Sequence, residues 1–164
     1  MSGTDLEPLA HLIADTTKPV IRRLFEIGET FYYLSLLTTG EGHAPTLSAW
    51  SFEALERKVQ KFPNDETAYQ DLKWSHADSP YYAFLDARFQ PVREAFEALP
   101  QMTTGMSAQA WSGALEYRLN AMERAMAILD ATGLFGRGEV RDNILISAEI
   151  VPPAACNAAI IKRF

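Results

Sequence analysis

The sequence predicts an α+β fold: a mostly antiparallel sheet of four or five strands, packed with an N-terminal helix and two long helices in the C-terminal half. Three observations predict it. A helical hydrophobic pattern opens the chain, strand-like runs follow between residues 31 and 75, and two long helical stretches precede a final run of period two. A hairpin and a third strand followed by two helices and a closing strand describe helices layered on a sheet.

Residues 5 to 28 read as a helix, because Leu6, Leu9, Ile13, Val20, Leu24 and Phe25 recur along one face. Thr4 or Asp5 is placed to cap it, Pro8 falls in its first turn, and Pro19 is expected to kink or split it. Gly28 is a stop signal. Phe31 to Thr39 reads as a strand that is apolar on both faces, hence central and covered on two sides. A turn at residues 40–45 leads to a second strand, Thr46 to Trp50, antiparallel to the first by hairpin logic. Ser51 caps a helix of about ten residues, an ordinary length, with Trp50 and Leu55 at the two positions of a hydrophobic staple.

Tyr69 to Ser75 reads as a third strand, from the alternation of Leu72 and Trp74. Asp78 or Ser79 is expected to cap the next helix, with Pro80 at its first position. Leu85, Phe89, Val92, Phe96 and Leu99 form its buried stripe, and Pro91 is expected to kink it. Ser107 to Thr132 is the longest helix, with Trp111, Leu115, Leu119, Met122, Met126 and Leu129 on its core face. Gly133 supplies the left-handed stop. The last strand spans Asn143 to Val151, where Ile144, Ile146, Ala148 and Ile150 alternate with Leu145, Ser147 and Glu149. Pro152-Pro153 ends it, and the tail from Ala158 to Phe164 is expected to dock as a strand or helical turn.

A chain of 164 residues suits one domain spanning residues 1–164. Its net charge of −6 argues against nucleic acid as a partner, since phosphate binding needs a basic face, and is compatible with a basic protein partner. The first residues lack a basic stretch followed by an apolar run, and no apolar run is long enough to span a bilayer, so a cytoplasmic protein with no membrane partner is expected. Cys156 is the single cysteine; with no histidine near it in sequence, a buried structural thiol is the favoured reading.

The segment Leu72-Lys73-Trp74-Ser75-His76-Ala77-Asp78-Ser79-Pro80-Tyr81-Tyr82 is the densest in chemistry-bearing side chains. No histidine pair has helical zinc spacing, and His76 with Asp78 is a lone H-x-D pair, so no metal or other cofactor is expected. The Gly133–Gly138 loop follows a helix and precedes a strand, the reverse of a phosphate cradle. Glu149 lies opposite in phase to the isoleucines of its strand. If that face is buried, the carboxylate must be paired, because an isolated buried charge is costly. Arg141 shares its parity, and a structural pair with a basic residue is favoured over a general acid or base.

The aromatic strand Phe31-Tyr32-Tyr33-Leu34-Ser35-Leu36, then Ser48-Ala49-Trp50-Ser51, then Trp74-Ser75-His76-Ala77-Asp78-Ser79-Pro80-Tyr81, with Gly133-Leu134-Phe135-Gly136, Arg141, Ala148 to Pro153 and Asn157 at the far end, carry a resemblance. From residue 31 onward the chain resembles an uncharacterised bacterial domain-of-unknown-function family, W-S-x-A-D-S-P-Y being the most specific segment. That family is similar to the small immunity proteins encoded beside antibacterial toxins. The resemblance assigns no catalytic residue. It implies a cytoplasmic protein that occludes the active site of a cognate toxin with a basic face. Asp65, Glu66, Asp71, His76 and Asp78 are the candidate polar contacts, and Trp74, Tyr81 and Tyr82 the aromatic anchors. The alternatives are a small hydrolase-like enzyme using His76, Asp78 and Glu149, or a small-molecule-binding adaptor. Convergence of those three side chains in one cleft would favour the enzyme.

Overall fold

A computed structural model describes residues 5–152. Cys156, Asn157 and the tail from Ala158 lie outside the described residues.

Helix α1 spans Glu7–Phe25 and runs continuously through Pro19. Asp5 Oδ1 accepts from the Glu7 amide at its start, and Gly28 follows its end at φ +79°. Strand β1 (Phe31–Thr39) is buried along almost its whole length, as a central strand requires. Strand β2 (Thr46–Ser51) returns antiparallel to it, pairing Ser35 with Ser48 and Leu37 with Thr46. Helix α2 (Phe52–Val59) starts at Ser51, whose Oγ accepts from the Ala54 amide at 3.0 Å, and the staple residues Trp50 and Leu55 are both fully buried.

Residues 69–75 are not a strand. Helix α3 covers Ala68–Leu72 and turns follow it. A strand would put Leu72 and Trp74 on one face. Instead Ala68 and Leu72, one helical turn apart, are buried while Trp74 is exposed. The helix expected from Asp78 or Ser79 also starts later. Residues 80–85 form turns, with Ala83 and Leu85 at φ +52° and +51°. A 3-10 turn (Asp86–Phe89) then leads into α4 (Gln90–Glu97), so Pro91 opens a helix rather than kinking one. Leu85 is left exposed, while Phe89, Val92 and Phe96 keep the buried stripe.

Helix α5 (Ala108–Ala131) is capped by Ser107, whose Oγ accepts from the Ala110 amide at 3.2 Å. Gly133 follows at φ +75°, and Phe135 beyond it is buried. A short helix α6 (Glu139–Asp142) precedes β3 (Leu145–Val151).

The fold is α+β. Among the described residues the sheet has three strands in the order β2-β1-β3, and it is mixed. Strand β3 runs parallel to β1, with Tyr33 beside Leu145, Ser35 beside Ser147 and Leu37 beside Glu149. The expected four or five mostly antiparallel strands are thus replaced by one antiparallel and one parallel pair. The helices between β2 and β3 form a crossover long enough to return the chain in the parallel sense. Helices α1 and α5 pack against one another, and α5 against β3. Their apolar faces share one core with Leu34, Leu36, Ile146 and Ala148. The opposite sheet face carries Tyr33, Ser35, Leu37, Ser147 and Glu149.

A buried arginine ties α5 to the link that precedes it and packs against the β1–β2 turn. Arg118 donates to the carbonyls of Pro100 (2.9 Å) and Ala114 (3.1 Å). A Cβ on Gly42 would come within 2.7 Å of both Arg118 Cδ and Met102 Sδ, at a backbone φ of +65°. Gly42→Ala is therefore expected to lower stability by about 1–3 kcal/mol, the cost of a left-handed non-glycine residue, with crowding added. An unchanged denaturant midpoint would contradict it.

Candidate functional site

Residues 73–84 form a strap laid over the β1–β2 half of the sheet, held by a series of separate ties. The Tyr32 hydroxyl donates to the Lys73 carbonyl at 2.6 Å, and Trp50 Nε1 to the Ser75 carbonyl at 2.8 Å. Ser79 Oγ donates to the Ala49 carbonyl and accepts from the Tyr81 amide at 3.0 Å. The Phe84 amide donates to the Leu47 carbonyl at 3.2 Å. The last two carbonyls belong to β2, an edge strand, so the strap also covers the open edge that would otherwise invite another strand.

The central tie is a closed polar ring. The Tyr33 hydroxyl lies 2.9 Å from His76 Nδ1 and 2.9 Å from Glu149 Oε1, and His76 Nε2 lies 3.3 Å from Glu149 Oε2. Ser147 Oγ donates to Glu149 Oε1. Glu149 is buried, and burial alone would push its carboxyl up. The donors His76, Ser147 and Tyr33 outweigh that and hold it below the usual range. Burial, and next the Glu149 charge, push the Tyr33 phenol far above its ordinary value. His76 Nε2 must carry a proton to face a carboxylate. The Tyr33 hydroxyl donates to Oε1 alongside Ser147 Oγ, and its contact with His76 Nδ1 takes its direction from the imidazole tautomer.

Chemically, this ring is closed. Both imidazole nitrogens are engaged, the carboxylate is ionised and surrounded by donors, and the phenol is held protonated. A general base or nucleophile needs a free lone pair facing a substrate. Asp78, the third member of the enzyme alternative, stands apart: its carboxylate accepts from Ser75 Oγ at 2.7 Å and pairs with Lys58 at 3.4 Å. Thus His76 and Glu149 meet and Asp78 does not join them. Arg141 is not the partner of Glu149. Its guanidinium binds Asp130 through two bonds (2.6 and 2.9 Å) and donates to the Ile144 carbonyl, because it sits on α6 beside the end of α5 rather than on β3. Among the described residues, no three His, Cys, Asp or Glu side chains gather as metal ligands.

The strap sorts the other candidates by face. Asp65, Glu66 and Asp71 are exposed around the start of α3, with Thr67 donating to both aspartates. Trp74 and Tyr82 are each 48% exposed. Tyr81 points inward instead. Its ring packs on Phe31 (5.3 Å) and Phe84 (6.0 Å), and its hydroxyl donates to Glu29 at 2.7 Å. Burial, then Glu29, push that phenol up to about 12. The expectation of Tyr81 as an exposed anchor is therefore corrected: Glu29, held also by Ser51 and Arg57, draws it into the interior.

Trp74 is pre-set. Its ring stands edge-on to Tyr32 (5.6 Å) and Tyr33 (5.9 Å), and Lys73 Nζ lies 5.2 Å over it. It walls an open cleft of about 620 Å³ with Tyr32, Phe52 and Lys73, facing Arg141, Asp142 and Asn143 across the first residues of β3. Sequence reasoning missed Phe52 and Asn143, and it missed Tyr33 and Ser147 in the ring. The one signal for Ser147 is its i, i+2 relation to Glu149. The others depend on strand register, which no local pattern carries.

No helix of the described residues is long and apolar enough to cross a membrane. A family model described as a domain of unknown function, DUF4303, matches residues 13–164. No curated protein and no solved structure matches the chain.

Proposed function

The chain belongs to the DUF4303 family of domains of unknown function, and from that premise and the geometry of the strap we propose that it is a cytoplasmic immunity protein. It binds a cognate antibacterial toxin and covers the toxin's active site. The observation that carries this reading is the division of labour in residues 65–82: the inward side chains are consumed in holding the strap, while Asp65, Glu66, Asp71, Trp74 and Tyr82 are presented outward. Half-exposed aromatics suit the anchors of a protein-binding surface, and exposed acids with no ion-pair partner among the described residues suit its polar rim. The net charge of −6 suits a toxin whose active-site cleft is basic.

The reading predicts that a gene adjacent to this one encodes a toxic domain, and the test is coexpression with it. Growth is rescued by the wild-type chain, and the purified pair forms a one-to-one complex. Reversing Asp65, Glu66 and Asp71 to lysine together weakens that complex on the order of tenfold, mainly through the association rate and most clearly at low salt. Absence of rescue, or affinity indifferent to the triple reversal, contradicts the respective part of the reading. The second reading, a small enzyme, keeps only the contact of His76 with Glu149 and predicts substrate turnover abolished by His76→Ala.

A further inference from the structure

We infer that the anchor point for the partner is the face centred on Trp74, Phe52 and Val140, and that its occupant is an extended polypeptide segment in which arginine or lysine alternates with apolar side chains. This rests on the reading of the chain as a protein-binding module and names where the partner sits.

Three observations converge there. First, Phe52 and Val140 are 40% and 63% exposed, and with Trp74 they border two adjoining clefts of about 620 and 470 Å³. The clefts share Phe52, Asn143 and Ile144, so together they make one furrow, apolar towards Val140 and more polar beside Trp74 and Asp142. Such a furrow takes successive side chains of a segment rather than one compact ligand.

Second, exposed polar groups with no partner among the described residues border the furrow. Of the three tryptophans, Trp50 and Trp111 donate their indole N–H to the carbonyls of Ser75 and Gly40, whereas the Trp74 N–H has no acceptor among the described residues. Asn143 donates to the Glu139 carbonyl, and its side-chain oxygen has no donor among the described residues. A donor and an acceptor spaced along a furrow suit the peptide backbone. The Trp74 ring is already fixed by Tyr32 and Tyr33, so little side-chain entropy is lost when it is covered.

Third, the charge leans acidic. Asp130 is neutralised by Arg141, and Glu29 by Arg57. Asp142, which lines the furrow, and Glu139 and Glu53 outside its lining have no ion-pair partner among the described residues, against Lys73, which lies over the Trp74 ring, and Arg137, which lines a neighbouring cleft. A cationic side chain is drawn to the Asp142 side of the furrow, away from Lys73, while its apolar neighbours cover Phe52 and Val140.

The experiment has two arms. In the first, the peptide Ac-Leu-Arg-Ile-Arg-Leu-NH2 is titrated at millimolar concentration into the isotope-labelled full chain. Shifts are expected at the Trp74 indole and at the Asp142 and Asn143 amides. They are absent with the glutamate-for-arginine peptide, and lost in Trp74→Ala and Asp142→Lys. No shifts, shifts elsewhere, or equal shifts with the acidic peptide overturn the inference. In the second arm the toxic domain is the ligand. Trp74→Ala weakens its binding on the order of thirtyfold or more, as a hot-spot aromatic does, and Trp74→Phe, which keeps the wall and removes the N–H, falls between. Unchanged affinity in Trp74→Ala and Asp142→Lys refutes this face and leaves the immunity reading standing. A toxic domain that does not bind wild type, while the basic peptide still docks at Trp74, removes the immunity reading and leaves the face.

Discussion

Glu149→Ala is expected to destabilise the protein by about 3 kcal/mol at neutral pH, because it leaves buried donors without their common acceptor. Three groups lose a partner at once: the Tyr33 hydroxyl, the His76 imidazole and the Ser147 hydroxyl. In a chain of this length that corresponds to about 6–12 °C in melting temperature. The effect carries a pH signature of defined sign. The folded-state pKa of Glu149 is depressed, so its contribution is fully present above the ordinary carboxyl value of about 4.3 and is lost as pH falls through the lower folded value. The stability difference between wild type and Glu149→Ala therefore shrinks on acidification below that point. A difference independent of pH would mean that the carboxylate is not the ionised hub of the ring. Glu149→Gln, which keeps the shape but exchanges an acceptor oxygen for a donor nitrogen, is expected to fall between the two.

Trp50→Ala is expected to cost more, about 3–5 kcal/mol, the range for deleting a large buried aromatic. Trp50 is fully buried on β2, and its indole N–H holds the strap at Ser75. Two effects are combined in that figure, a cavity and a lost tie, and Trp50→Phe separates them. The phenylalanine fills most of the volume but cannot donate, so it costs about 1 kcal/mol for the hydrogen bond, with a smaller packing loss. Hydrogen exchange in Trp50→Phe is expected to rise in residues 73–79 while β1 stays protected, since local opening follows the ties that are lost. Uniformly faster exchange would show instead that the strap and the sheet open as one unit.

Both variants act on contacts that join distant parts of the chain, and this marks what the sequence could and could not convey. Helix α1, strands β1 and β2, the Ser51 cap, the extent of α5 and the Gly133 stop were all legible, because each rests on residues within one or two turns of one another. The need for Glu149 to have partners was legible from its phase on β3. Their identity was not, since Tyr33, His76 and Glu149 are brought together by a parallel register between strands more than a hundred residues apart. The segment 69–75 misled because Leu72 and Trp74 alternate as a strand would, while the deciding relation, Ala68 with Leu72, is helical and involves a small residue that contributes little to any periodicity. The α+β class follows from the order of elements. The parallel β3 depends on how a long helical crossover returns, which local patterns leave open. For the outward face, composition pointed to Trp74 and Tyr82, yet nothing local distinguished them from Tyr81, whose inward turn follows from Glu29.

The central claim is that this fold works by covering another macromolecule and not by making or breaking bonds. Its most direct test is to titrate the purified chain into the toxic domain that the account expects to be encoded beside it, while following the toxin's own catalytic activity. The account predicts activity falling linearly to zero at one equivalent, with Trp74→Ala requiring a large excess and His76→Ala, once its folding is verified, still inhibiting. Toxin activity unaffected by excess chain, together with substrate turnover by the chain itself that disappears in His76→Ala, would contradict it.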